Sequence, residues 1–171
     1  IPKKPLLFGI FISKLHIKWA ICAVCFVLVA TGLDRLTVVI LRNLTDLIAA
    51  DSIVISSVWL WALLYPVLFF IAENFWRGSG FTGMQWFMNF RSSSYQSLYE
   101  YLTLHSKDYF NSRFAGSLAN KITNAVDGTQ NLFEKLLWRF LPLIVGLFWY
   151  VFFAWISDWR LGLIISIWSI F

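Results

Sequence analysis

Apolar and polar positions alternate along this chain in blocks, and the blocks have the lengths of membrane helices. Ile53 to Ala72 runs for twenty residues without a charge, and Phe140 to Ser157 for eighteen. A helix needs about twenty residues to cross the ~30 Å hydrocarbon core of a bilayer. Trp19 to Leu33 is a shorter clean run that resumes from Leu36 to Leu41 after the pair Asp34–Arg35. It reads as one long tilted span with a polar interruption. Leu161 to Phe171 is apolar again. The pattern predicts an all-α, polytopic helical membrane protein with spans at about 17–41, 53–77 and 137–157. A fourth span would begin at 159–171 and be cut short. With Ile1 in place of Met and an end inside an apolar run, the chain is expected to be part of a longer one.

Between the second and third spans the pattern changes period but not type. Tyr95, Leu98, Tyr99 and Leu102 stand at i, i+3, i+4 and i+7, and Phe110, Phe114, Leu118, Ile122 and Val126 stand four apart. That is helical spacing on polar helices, so a cytoplasmic helical loop is expected over about 78–136, divided near Gly116. Two solvated helices that merely pack on each other would give the same pattern. At the other end, Leu6 to Leu15 is apolar between Lys3, Lys4, Lys14 and Lys18. A short helix at about 6–16, lying in the headgroup region, is expected there.

Composition agrees. The 171 residues are 59% hydrophobic and 13% charged, against roughly 45–50% and 25% in ordinary soluble domains. The net charge of +5 carries topological information instead of pointing to nucleic acid, which is not expected as a partner. Four lysines and no acid precede the first span, which puts the amino terminus in the cytoplasm. The basic excess of the loop (Arg77, Arg91, Lys107, Arg113, Lys121, Lys135 and Arg139) agrees with the same side. A secretory signal is disfavoured because no small-residue cleavage site follows the first apolar run, which meets Thr31, Gly32, Leu33, Asp34 and Arg35.

Little in the sequence carries catalytic chemistry. Gly78-Ser-Gly80-Phe-Thr-Gly83 matches G-x-G-x-x-G, but a twenty-residue apolar run precedes it where a dinucleotide site needs a short strand. Close helix packing or local bending is the expected use of these glycines. No P-loop motif occurs, so this chain is not expected to bind ATP. Cys22 and Cys25 form a C-x-x-C without a second pair and are expected to pack as small hydrophobes. His16 and His105 have no partner that would make a metal site. Asn43-Leu-Thr45 fits a glycosylation acceptor. Ionisable residues near the membrane are the better lead, since charge at depth is costly and usually faces a bundle interior or a wet cavity. Asp34, Arg35, Glu73 and Arg77 are the candidate pathway residues, whereas Arg42 reads as an interfacial charge.

The segment Leu104 to Leu137, LHSKDYFNSRFAGSLANKITNAVDGTQNLFEKLL, resembles the transmembrane domain of type I ABC exporters, of the bacterial lipid and multidrug half-transporter kind. Tyr109–Phe110 look like the family's aromatic pair, Gly116 like its glycine, and Lys121 stands where Arg is usual. Where an acid often follows, this chain has Ala125, with Asp127 two positions on. Leu44-Thr-Asp46-Leu-Ile48 is similar to the family's first-span ending, and Asp158-Trp-Arg-Leu-Gly-Leu163 to its turn between spans three and four.

The resemblance implies the amino-terminal part of a six-span domain, paired with a second as a homodimer or heterodimer. A nucleotide-binding domain, with its ATP and magnesium, would lie outside this chain, on the same polypeptide or a separate subunit. Lys107, Asp108, Tyr109, Phe110, Asn111 and Ser112 would form the coupling helix that docks on it. The setting implied is a bacterial inner membrane, with lipids as neighbours. A membrane sensor or input module with long cytoplasmic helices is the alternative, and a secondary transporter stands third. The sequence downstream separates them: a Walker A motif for the exporter, a kinase-like or receiver domain for the sensor.

Overall fold

The computed structural model describes residues 5–49, 55–105 and 115–169. Every element among these residues is helical. Helix α1 is Pro5–Leu15, α2 Ile17–Ala49, α3 Ile55–Thr103 and α4 Ala115–Lys135. A π-helical turn over Leu136–Phe140 leads into α5, Leu141–Ser157, and α6 is Trp159–Trp168. Expected span one therefore continues as helix to Ala49.

Among the described residues, three helical stretches are long and apolar enough to cross a membrane. They are Ile17–Ala49, Val58–Thr103 and Gly116–Ser157, with mean hydropathies of 2.1, 1.6 and 2.0 in their most apolar windows. Only 22%, 6% and 11% of those windows are buried by the chain itself. Side chains such as Leu60, Leu63, Phe70, Ile144 and Phe148 are more than three-fifths exposed. Water would not tolerate that surface, and lipid does. The chain is a helical membrane protein.

Breaks in the helices have local causes. His16 separates α1 from α2 by a single residue, its N–H donating to Ser13 O at 3.1 Å while its carbonyl receives the N–H groups of Trp19 and Ala20. Pro142 near the start of α5 has no N–H to give Trp138, and its ring crowds that carbonyl. The π turn ends two residues before it, a common place for such a bulge. Pro66, by contrast, lies within α3 without ending it. The described chain divides into two compact units.

Unit 1 comprises Ile1–Val24 and Gly80–Trp138. Its core is aromatic: Trp86 stacks on Phe87 at 4.8 Å between centroids, and Phe133 meets Trp86 at 6.0 Å and Phe90 at 5.7 Å. Leu118, Ile122 and Val126 of α4 are buried, as their four-residue spacing predicts. Phe8, Gly9 and Ile12 of α1 are also buried, while Leu6, Leu7, Ile10 and Phe11 are exposed. A helix apolar on both faces suits a protein surface on one side and lipid on the other.

Unit 2 comprises Cys25–Ser79 and Arg139–Phe171. Here α2 and α3 run antiparallel: Phe26 tilts on Phe75 at 5.7 Å and lies where a Cβ on Gly78 would go, while Asn43, Asp46 and Leu47 line a shallow hollow with Trp61. Helices α5 and α6 form a hairpin turned by one residue. Asp158, extended at φ −157° and ψ 126°, caps both: its N–H donates to Ala154 O at 3.0 Å, and its carboxylate accepts from Arg160 N at 2.8 Å.

Candidate functional site

Polar side chains in unit 2 gather along one line where α2 meets α3 and α5. Asp34 and Arg35 are neighbours in sequence, but successive residues on a helix point about 100° apart. They therefore serve different partners. Asp34 Oδ2 accepts a hydrogen bond from Trp76 Nε1 of α3 at 2.9 Å. Arg35 turns to α5, where it donates to the hydroxyl of Tyr150 and lies over its ring, 4.5 Å from the centroid.

Glycine makes room for this second contact. A Cβ on Gly146 would stand 2.8 Å from Arg35 Nη2, so any side chain there would displace the guanidinium. Gly32 similarly faces Trp149, with Nε1 3.7 Å from its ideal Cβ. One turn past Val38, Arg42 Nη1 donates to Ser157 Oγ at 3.2 Å. Residues 32 and 35 of α2 meet 146–150 of α5, and residue 42, farther along α2, meets 157, so α2 and α5 run parallel.

A cleft of about 460 Å³ opens along this seam, walled by α2, α5 and α6. Arg35 and Arg42 supply its charge, and Val39, Phe153, Leu161 and Ile165 are among its apolar walls. The counter-charge is small: Asp46 approaches Arg42 Nε at 3.7 Å, with both side chains about two-thirds exposed. Pairs so exposed are worth little.

No family model, curated protein or solved structure matches this chain.

The four candidate pathway residues separate into two kinds. Asp34 and Arg35 are half-buried and tie α2 to its neighbours. Glu73 is half-buried and Arg77 exposed, and among the described residues no ion pair joins them. Trp76, between them in sequence, makes the polar contact instead. Lys107, Asp108, Tyr109, Phe110, Asn111 and Ser112 lie outside the described residues. Tyr150, Trp76 and Ser157 were not singled out from sequence: nothing local marks an aromatic or a serine as the partner of a charge 42 or 115 residues away.

Unit 1 holds its own polar cluster. Arg91 of α3 pairs with Asp127 of α4 at 2.8 Å and reaches Gln130 at 3.5 Å and Tyr95 at 3.4 Å. His16 Nε2 meets Ser93 Oγ at 2.8 Å. Gly83 of the G-x-G-x-x-G sequence lies within helix α3, its ideal Cβ 2.7 Å from the Trp138 ring. It serves close packing, with no loop there to cradle a phosphate. Cys22 and Cys25 are free thiols exposed on α2. Among the described residues no group of three or more His, Cys, Asp or Glu side chains is placed to hold a metal ion.

Proposed function

We propose that the chain is part of the membrane-spanning domain of an ATP-driven exporter of the type I ABC kind. The observation that carries this reading is the length of α3. Its 49 residues are more than twice the about twenty that cross the ~30 Å hydrocarbon core. Such a helix serves an exporter as a lever that leaves the membrane and carries force from a distant ATPase. The 21-residue α4, continuing through the π turn into apolar α5, supplies the matching return lever.

The turn at Asp158 and the short apolar α1 also fit the element order of that family. On this reading the nucleotide-binding domain docks near 107–112, closes on ATP and magnesium, and tilts the levers between two states. Asp34 and Arg35 border the substrate path, the amino terminus is cytoplasmic, and the working unit contains two such domains.

The test is the coding sequence beyond Phe171 together with activity of the intact protein. Two further spans, then a Walker A motif and ATP-driven transport in vesicles, are expected. A sensor kinase or receiver domain in that position overturns the proposal.

A further inference from the structure

We infer that the cleft between α2, α5 and α6 binds one anionic phospholipid, with its phosphate at Arg42 and an acyl chain along the apolar wall. The argument uses unit 2 alone and does not depend on an ATPase driving the protein.

Depth is the first consideration. Arg42 bonds Ser157, the residue before the Asp158 turn, and that turn is flanked by Trp155, Trp159 and Arg160. Tryptophans beside charges are the mark of the membrane–water boundary. Arg42 therefore stands at headgroup level. Arg35, seven residues earlier on the same helix, is about 10 Å deeper. The two cations line one cleft at the separation of a lipid's phosphate from the upper part of its chains.

Chemistry selects the occupant. The walls formed by Val39, Phe153, Leu161 and Ile165 suit hydrocarbon, and about 460 Å³ lies within the ~300–1,000 Å³ range of ligand pockets. Both charges are positive, and Asp46 holds Arg42 only loosely at 3.7 Å. A phosphate offers the guanidinium shorter, charge-assisted hydrogen bonds than that exposed carboxylate does. A zwitterionic lipid would bring its own cation toward Arg42 and gain less.

Native mass spectrometry of the purified intact protein tests this, with dioleoyl phosphatidylglycerol, dioleoyl phosphatidylcholine and inorganic phosphate as probes. Phosphatidylglycerol is expected to bind at least about fivefold more tightly than phosphatidylcholine, the worth of one basic residue facing an anionic lipid. Arg42→Gln should abolish that preference and Arg42→Lys should keep most of it. Arg139→Gln, at an exposed arginine outside the cleft, should leave it unchanged. Equal binding of the two lipids, an undiminished preference in Arg42→Gln, or the same loss in Arg139→Gln overturns the proposal. Displacement of the lipid by millimolar phosphate overturns it too, since the site would then recognise the free anion alone.

Discussion

The guanidinium of Arg35 lies on the ring of Tyr150 and donates to its hydroxyl, joining two apolar helices through residues 115 positions apart. Tyr150→Phe keeps the ring but removes the acceptor, and should cost about 1–2 kcal/mol. Gly146→Leu puts a side chain where the guanidinium lies and should lower stability by more. Thermal unfolding of the purified protein in detergent measures both. A Gly146→Leu protein as stable as the parent would show that Arg35 does not depend on that space.

Trp76 and Asp34 make a second tie, from α2 to α3. Trp76→Phe leaves the Asp34 carboxylate without the indole donor, and Asp34→Asn leaves the indole facing a weaker acceptor. The double mutant should cost less than the sum of the single changes, by about 0.5–3 kcal/mol. Strict additivity would mean that the 2.9 Å bond contributes nothing to the fold.

Asp158 caps α6 while ending α5, so Asp158→Ala should cost about 1 kcal/mol through the cap alone. Gly162→Ala tests the same hairpin by crowding. Its Cβ would meet Trp155 at 2.7 Å from the ring and 3.0 Å from Cα, and backbone cannot swing away. The Gly162 variant should be the less stable of the two in unfolding by denaturant.

Sidedness is open to labelling. On the proposed topology, cysteines introduced at Ser93 and at Asp51 react with a membrane-impermeant maleimide from opposite faces, after Cys22 and Cys25 are replaced by Ser. Reaction of both from one face removes the proposed arrangement of spans.

Tyr109 and Phe110 carry the coupling proposal. Replacing both by Ala in the intact protein should uncouple transport from ATP hydrolysis, with membrane insertion retained. Normal transport in the inserted double mutant refutes docking at 107–112, whereas global unfolding assigns the pair to a core between the levers.

Helical type and the presence of long apolar helices were legible because lipid imposes a length and a composition that charge-free runs report directly. The one-residue turn at Asp158 was legible for a related reason: an Asp followed by Trp and Arg interrupts two apolar runs. The π turn left a trace in Pro142 that apolarity concealed. The seam was half legible. Asp34 and Arg35 stand out as charges in an apolar run, but the periodicity of α2 cannot say which helix faces which side of it. Trp76, Tyr150, Gly146 and Ser157 have a role only through partners far along the chain. Glu73 and Arg77 stand out in the same way as charges at the end of the second apolar run, but among the described residues no ion pair joins them.

The hairpin of α5 and α6 has no slack. Consecutive Cα atoms are 3.8 Å apart, and one residue between two helices leaves no length for either to slide along the other. With the Gly162 backbone seated against Trp155, axial play is removed on the packed side as well. An axial shift of α5 therefore carries α6 along with it.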